Sequence, residues 1–235
     1  MYAERPPAPD LAGRVACGWH LVSETEQTQL VVPDACVDLI WGPGGLFVAG
    51  PDTGPMPTPM AAGDMFTGVR FRPGAVGDFF GVPLHELRDR RVALSDLPFP
   101  AERIEEAASR AGARPAAMRA AVRCRLAATT GADPAGYAIT RALREGHTVA
   151  EVAWRLGFSE RQLHRRSLAS FGYAPKTLQR IVRFQRALGL ARAGVPLAEA
   201  AVTAGYSDQT HLSHDVRRLS GVSMRRLLSP AGRSA

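Results

Sequence analysis

Up to residue 72, short apolar runs alternate with glycine and proline, the pattern of β-strands joined by turns. The runs occupy residues 19–22, 29–32, 37–41, 46–49 and 66–71. Runs of this length between such breaks predict a mainly antiparallel, barrel-like β unit. The segment 56–62 is interrupted by prolines and is predicted to be a loop.

Beyond Gly74 the spacing of apolar residues becomes helical. Two short helices are predicted at 75–80 and 84–90, and two longer ones at 100–110 and 115–129. The sequence Gly-Ala-Asp-Pro at 131–134 indicates a domain boundary. The pattern therefore predicts an α+β N-terminal domain (1–97), a helical connector (98–132) and an all-α domain (133–235).

The all-α domain contains an internal repeat. Shifting the sequence by 48 residues superposes Ala150-Glu151, Ala153 and Gly157-Phe158-Ser159 on Ala198-Glu199, Ala201 and Gly205-Tyr206-Ser207. After one extra residue in the second copy, Leu163 and Gly172 match Leu212 and Gly221. Each copy predicts a short helix, a turn that begins at glycine, and a longer helix. This order is the helix-turn-helix arrangement, and a longer amphipathic helix at 175–193 links the two copies.

The matched positions have clear physical roles. In each copy an alanine lets the helices cross closely, a glycine suits a left-handed turn, an aromatic ring fills the space beneath it, and a serine caps the second helix. Glu151 and Gln162 stand three residues after Thr148 and Ser159, which is capping-box spacing. The helices therefore have specific predicted start points.

The second helix of each copy presents polar and basic side chains near its N-terminal end, where they can reach base edges in a major groove about 12 Å wide. In the first copy these are Arg161, Gln162, His164 and Arg165, with Arg166 as a candidate phosphate contact. In the second copy they are Gln209, Thr210, Ser213 and His214, flanked by Arg217 and Arg218. Asp208, His211 and His214 also have metal-like spacing, but the recognition-helix interpretation explains the same residues. We expect no metal and no cofactor.

Charge separates the two halves of the chain. The whole sequence carries +7. Residues 1–133 contain 13 Arg and 16 acidic residues, a net −3, whereas residues 134–235 contain 15 Arg, one Lys and 6 acidic residues, a net +10. A strongly basic half beside a slightly acidic one predicts that only the C-terminal half binds nucleic acid.

Other classes of protein fit the sequence poorly. No apolar stretch approaches the ~18 residues of a membrane span, and the first ten residues lack the pattern of a signal peptide, so we expect a cytoplasmic protein. Cys17, Cys36 and Cys124 are widely spaced and contain no Cys-x-x-Cys pair. They are interpreted as reduced thiols rather than disulfides or zinc ligands.

The two units, the linking helix with Arg-Phe-Gln-Arg-Ala at 183–187, and Gly-Tyr-Ser-Asp-Gln-Thr-His-Leu-Ser at 205–213 together resemble the DNA-binding domain of AraC/XylS-type bacterial transcription regulators. The resemblance covers about residues 133–230. It implies that both recognition helices enter adjacent major grooves, about 10 bp apart, on one face of double-stranded DNA. The implied base-facing residues are Arg161, His164, Arg165, Gln209, Thr210 and His214.

Three positions depart from the pattern of that family. Ser167 replaces a usual aromatic core residue, Met224 replaces the proline that corresponds to Pro175, and His214 stands where arginine is commoner. Asp215 would repel phosphate unless it pairs with Arg217 or Arg218. These departures weaken the prediction that the second copy reads bases.

The N-terminal part resembles an uncharacterised module found ahead of such DNA-binding domains, through residues 32–41, 49–51 and 68–74. This resemblance implies a sensor or oligomerisation role. Asp34 and Asp38 could form a carboxylate pair in a ligand site, but a turn at Asp34 and an ion pair between Asp38 and Arg70 or Arg72 is favoured. The candidate effector-binding residues are Trp19, Asp38, Trp41 and Arg70.

The sequence therefore predicts a non-enzymatic, sequence-specific DNA-binding transcription regulator whose N-terminal domain responds to an effector. Its expected partners are double-stranded DNA, a small-molecule effector, RNA polymerase and a second copy of the chain, with no membrane partner. A DNA alkylation-repair methyl-transfer enzyme with an AraC-like half is one alternative, although it would need a reactive cysteine or a zinc site. A small-molecule-binding protein with weak DNA contact is the other.

Overall fold

The computed structural model describes residues 1–111 and 114–229, and residues 230–235 of the predicted DNA-binding domain lie outside this range. Eight strands form the β part of the described N-terminal half: β1 (Tyr2–Arg5), β2 (Val15–Val22), β3 (Gln27–Val31), β4 (Val37–Gly42), β5 (Gly45–Ala49), β6 (Met56–Met60), β7 (Met65–Phe71) and β8 (Arg91–Ala93). Six of them form one antiparallel sheet in the order β1-β2-β7-β4-β5-β8. The mainly antiparallel class is confirmed, but the predicted barrel shape is wrong because the sheet is not closed.

The remaining two strands, β3 and β6, pair as a separate antiparallel ribbon. β6 falls in the segment that was predicted to be a loop because of its prolines. Pro57 and Pro59 are two residues apart, so their backbone nitrogens, which carry no hydrogen, can both face the edge away from β3. No hydrogen bond to β3 is then lost. The prolines therefore mark an edge strand, and the loop prediction for 56–62 is wrong.

The segment between the sheet and the longer helices is less helical than its sequence pattern predicts. Residues 75–80 form turns instead of a helix, and 84–90 contains only the 3-10 helix Leu84–Glu86. Glycines with positive φ at 74, 77 and 81 break the backbone there. The turns bury Phe79 and Phe80 against Phe71, which explains the apolar spacing without a helix.

Helices α1 (Ala101–Ala111) and α2 (Arg114–Ala128) follow close to the predicted positions. They share one hydrophobic core with the sheet, in which Met118 and Val122 of α2 are fully buried. The sheet contributes one face to this core through Val37, Leu39, Trp41, Leu46, Val48, Val69 and Phe71. The predicted connector thus packs on the sheet, and the opposite face of the sheet is left for the β3–β6 ribbon.

Seven helices form the described part of the C-terminal half: α3 (Pro134–Arg144), α4 (Val149–Arg155), α5 (Glu160–Phe171), α6 (Pro175–Arg192), α7 (Leu197–Thr203), α8 (Gln209–Ser220) and α9 (Met224–Leu228). Their core surrounds α6, whose Leu178, Ile181 and Phe184 are fully buried. The two predicted helix-turn-helix units are α4–α5 and α7–α8. The predicted all-α class of this half is confirmed.

The two halves contact each other closely at glycines. A Cβ on Gly136 would lie 2.8 Å from the carbonyl oxygen of Gly74, and one on Gly172 would lie 2.9 Å from that of Leu84. The loop between β3 and β4 also reaches α6, where Ala35 is buried in the core of the C-terminal half. The loop thus connects two strands of the β unit, but its side chain at Ala35 packs in the helical core.

Candidate nucleic-acid interface and ligand cavity

In the first helix-turn-helix unit, the turn between α4 and α5 has the predicted geometry. Gly157 adopts a left-handed φ of 68°, and the amide of Phe158 donates to the carbonyl of Ala153 at 2.9 Å. The Ser159 hydroxyl accepts from the amide of Gln162, whose side chain accepts from the Ser159 amide at 2.8 Å. This capping box is confirmed, and it fixes the first turn of α5.

The second unit is built on the same plan with a different cap. Gly205 has a φ of 90° and Tyr206 is buried beneath the turn. The N-cap of α8 is Asp208, whose carboxylate accepts from the amide of His211 at 2.8 Å and thereby has a lowered pKa. The prediction that Ser207 caps this helix is wrong, because the extra residue in this copy moves the helix start by one position.

The outward face of α5 carries most of the side chains that were predicted to contact DNA. Arg161, Gln162, His164 and Arg165 are all exposed. Arg166 is placed differently, because its guanidinium pairs with the carboxylate of Asp133 and lies over the Phe158 ring, 4.7 Å from its centroid. Arg166 therefore ties α5 to the cap of α3.

The outward face of α8 is less basic at its start. The exposed side chains are Gln209, Thr210, His211, His214, Arg217 and Arg218. Ser213 is half-buried and donates its hydroxyl to the carbonyl of Gln209 at 2.8 Å. Asp215 pairs with Arg180 of α6 at 3.6 Å, rather than with Arg217 or Arg218 as anticipated, so its charge is partly neutralised from the linking helix.

Two departures from the family pattern have local structural explanations. Ser167 is fully buried and donates to the backbone carbonyl of Tyr173 at 2.7 Å, and Tyr173 itself is buried in the same core. Met224 occupies the first position of α9 with its side chain buried, while Ser223 caps the helix. Both substitutions are accommodated without changing the repeat.

On the other half of the chain, a cavity of about 340 Å³ lies between the sheet and the β3–β6 ribbon. Its walls are mostly apolar and aromatic, with Tyr2, Trp19, Ile40, Phe47, Met60 and Phe66 among the lining residues. Gly68 pairs with Trp19 across β2 and β7, and a Cβ at Gly68 would lie 2.1 Å from the indole ring. The absence of a side chain at Gly68 therefore leaves space for the Trp19 indole ring, which forms part of the cavity wall.

A group of charged residues lines the same cavity. The guanidinium of Arg70 donates to both carboxylate oxygens of Asp38, at 3.2 and 3.3 Å, and the Trp19 indole N–H donates to Asp38 at 3.1 Å. Arg70 also lies 3.8 Å from the carboxylate of Asp34. Burial raises the pKa of Asp38, and the Asp38 carboxylate in turn raises the pKa of Arg70. The favoured pairing of Asp38 with Arg70 is observed, while Arg72 donates to the Ala12 carbonyl.

A second ion pair lies elsewhere in the cavity wall. Arg91 on β8 donates two hydrogen bonds to the two carboxylate oxygens of Asp52, at 2.8 and 2.7 Å. Burial raises the pKa of Asp52. Neither residue is indicated by the sequence pattern, since Asp52 lies in a loop and β8 is only three residues long.

Three of the four candidate effector residues line this cavity: Trp19, Asp38 and Arg70. Trp41 does not, because alternation along β4 turns it to the opposite face, where it is buried in the core under Arg114. Phe47 and Cys36 were not candidates but line the cavity. The position of Cys36 depends on the loop that follows β3, which no periodic pattern indicates.

Cys17 and Cys36 lack the lowered pKa of an activated nucleophile. Burial raises the pKa of Cys17 to about 11 and raises that of Cys36 well above its ordinary value. A methyl-accepting cysteine needs the opposite shift, because the thiolate is the reactive form. Among the residues that the structure describes, no group of three or more His, Cys, Asp or Glu side chains could hold a metal ion. The described helices also include none long and apolar enough to cross a bilayer.

Two protein families match separate parts of the chain. Residues 3–93 match the family described as Domain of unknown function (DUF6597), and residues 152–229 match the family described as Helix-turn-helix domain. The second match begins within α4 and covers the rest of the first unit, α6 and the second unit. No curated protein matches the chain.

Two solved structures resemble the chain over different lengths. ToxT from Vibrio cholerae O395 is 9% identical with a TM-score of 0.50, and the match covers 93% of this chain and 97% of ToxT. A probable AraC family transcriptional regulator from Rhodopseudomonas palustris CGA009 is 24% identical with a TM-score of 0.36, and the match covers 42% of this chain and 98% of that one. The likeness to ToxT shows a shared overall fold.

Proposed function

We propose that the chain is a DNA-binding transcription regulator with an AraC-type helix-turn-helix domain, and that α5 and α8 read adjacent major-groove segments on one face of the duplex. The observation that carries this proposal is the pair of matching units, α4–α5 and α7–α8, packed on one helix, α6. Each unit exposes polar side chains at the start of its second helix, and α5 also exposes Arg161 and Arg165. Two such helices in one chain suit a site with elements about 10 bp apart.

The exposed residues divide into two kinds of contact. We assign base-edge contacts to Arg161, Gln162, His164, Arg165, Gln209, Thr210, Ser213 and His214. Arg217 and Arg218 follow one turn later on α8 and are assigned to phosphate. Arg166 would reach phosphate only after leaving Asp133, so we assign it a secondary phosphate contact. Arginine suits both tasks because its planar fork can bond guanine or phosphate in two places.

The N-terminal half is proposed to control DNA binding through an effector in the cavity beneath the β3–β6 ribbon. The loop that follows β3 lines the cavity with Asp34 and Cys36. The same loop contacts the helical core, because Ala35 is buried there and the Pro33 carbonyl accepts a hydrogen bond from Gln185 of α6. A change in this loop on ligand binding would therefore act directly on the helix that carries both units. A second copy of the chain and RNA polymerase are further proposed partners of the DNA-bound protein.

The test is the affinity of the full chain for an operator fragment obtained by selection from random DNA. Arg165→Ala should weaken specific binding by about 1–3 kcal/mol and remove the base preference at one position. Arg103→Ala, which removes an exposed arginine from α1 in the N-terminal half, is the matched control and should leave affinity unchanged. Equal site preference in wild type and Arg165→Ala would contradict the role of Arg165.

A further inference from the structure

We propose that the cavity between the sheet and the β3–β6 ribbon binds an organic cation, with a protonated amine or guanidinium placed at Asp34 and an apolar body among the aromatic side chains. This inference rests on the proposed control of DNA binding by an effector, and it names the chemical class of that effector.

The size and lining of the cavity suit a small ligand with an apolar body. A volume of about 340 Å³ lies in the range of small-molecule sites, which are typically apolar with a few polar groups that set orientation. Tyr2 and Trp19 lie with ring centroids 6.1 Å apart, and Phe47 and Phe66 also line the space. Aromatic faces attract cations, which adds to the affinity for an ammonium group.

The charges of the lining residues do not balance. Three aspartates, Asp34, Asp38 and Asp52, line the cavity with two arginines, Arg70 and Arg91, a formal net charge of −1. Tyr2 and Cys36 have raised pKa values and stay neutral at pH 7. A net negative charge in a mostly apolar cavity favours a cationic ligand.

The ion pairs indicate which carboxylate is available. Arg91 is held by two short bonds to Asp52, and Arg70 bonds both oxygens of Asp38. Asp34 is only 3.8 Å from Arg70, beyond hydrogen-bond distance, and its other oxygen accepts from the Cys36 amide at 2.8 Å. The Asp34 carboxylate therefore has acceptor capacity left for an ammonium or guanidinium donor.

An anionic ligand would meet the reverse situation. Both arginines already have carboxylate partners, so a ligand carboxylate would have to displace Asp38 or Asp52 and leave that aspartate unpaired. Removing one partner of a buried ion pair is strongly unfavourable. The same three aspartates would also repel the ligand.

Asp34 also lies at the contact between the two halves. Its neighbour Pro33 accepts a hydrogen bond from Gln185, and its neighbour Ala35, with a positive φ of 67°, is buried in the helical core. A cation bonded to Asp34 would therefore lie next to both contacts and could change the position of the loop that makes them. The residue that would recognise the charge of the ligand therefore lies in the same loop that contacts α6.

Three probes of matched shape and different charge test the proposal on the full chain at pH 7.5: phenethylammonium, 2-phenylethanol and 3-phenylpropionate. Isothermal titration and thermal unfolding should show the highest affinity for phenethylammonium. Its affinity should exceed that of the alcohol by about tenfold or more, and the carboxylate should have the lowest affinity. Asp34→Asn should remove the preference for the ammonium over the alcohol. Asp96→Asn, which removes an exposed charge outside the cavity, should keep it.

The order of the three probes on the wild-type chain decides the question even where Asp34→Asn fails to fold. Equal binding of all three, preference for the carboxylate, or an ammonium preference that survives Asp34→Asn would overturn the proposal. Binding of the operator fragment is measured on the same sample without probes. Retained DNA binding together with one of these outcomes would reject the cation site alone, whereas loss of DNA binding would reject the proposed function.

Discussion

The side-chain amide of Gln185 on α6 donates to the backbone carbonyl of Pro33 at 2.6 Å. This bond joins residues that are 152 positions apart in sequence. It links the loop of the ligand cavity to the helix on which both helix-turn-helix units pack. The two halves of the chain are therefore connected at the loop that lines the cavity.

Replacing Gln185 with alanine should loosen this connection. We expect Gln185→Ala to lower the free energy of unfolding by about 1 kcal/mol and to speed amide hydrogen exchange in residues 34–37. The control is Gln179→Ala, which removes a longer bond of 3.4 Å to the His147 carbonyl within the helical half. Identical exchange in residues 34–37 for both variants would contradict the linking role of Gln185.

The caps of the two recognition helices should differ in their response to serine substitution. Ser159→Ala removes the N-cap acceptor of α5 and should lower the free energy of unfolding by about 1 kcal/mol. Ser207→Ala leaves the Asp208 cap of α8 in place and should change it by less than about 0.5 kcal/mol. Urea unfolding of both variants measures the difference. A larger effect at Ser207 would mean that α8 is capped as its sequence first indicated.

The turn glycine of the first unit should tolerate no side chain, despite the open space around it. Gly157 has a φ of 68° and a Cβ there would meet no atom within 4 Å, so the cost of Gly157→Ala comes from the backbone alone. We expect a loss of about 1–2 kcal/mol in thermal or urea unfolding. Gly189→Ala is the matched control, since Gly189 lies within α6 with equally open space and should gain up to about 1 kcal/mol. A neutral Gly157→Ala would show that the turn can change its conformation.

The three cysteines should differ in reactivity because of burial. Cys124 is exposed, whereas burial raises the pKa of Cys17 to about 11 and that of Cys36 well above normal. At pH 8, a thiol reagent such as Ellman's reagent should label Cys124 first in the native protein and all three in denaturant. Cys124→Ser should remove the fast phase. Fast labelling of Cys17 or Cys36 in the Cys124→Ser variant would contradict the raised pKa of these two thiols.

The raised pKa of Cys17 also has a consequence for stability. The unfolded thiol ionises near 9.0 and the folded one near 11, so the unfolded state loses its proton first as the pH rises. Cys17 should therefore lower the free energy of unfolding between these values. Cys17→Ala should show a smaller decrease with pH over this range in urea unfolding. A parallel decrease in both proteins would assign the effect to other groups.

The repeat could be read from sequence because its signals are local. A capping box, a turn glycine and the residues three and four positions apart on a helix all lie within one unit, so Ser159, Gln162 and Gly157 are informative by themselves. The cap of α8 was misplaced by one residue because Ser207 and Asp208 are both good N-caps and only the backbone selects between them.

The cavity could be predicted only in part because it depends on long-range pairing. Asp38 and Arg70 become neighbours through the register of β4 and β7, and apolar strands with buried charges made them candidates. Trp41 was placed wrongly because alternation along β4 does not indicate which face the ribbon covers. The pair of Asp52 with Arg91 joins a loop to a three-residue strand, which neither periodicity nor composition reveals.

The most direct test of the account is selection of bound sites from random double-stranded DNA by the full chain. We predict an enriched sequence with two elements about 10 bp apart. Arg165→Ala should lose the base preference at one position of the first element, and Gln209→Ala should lose it at one position of the other. Enrichment of no sequence, or of a single element that Gln209→Ala leaves unchanged, would contradict the claim that both helices read bases.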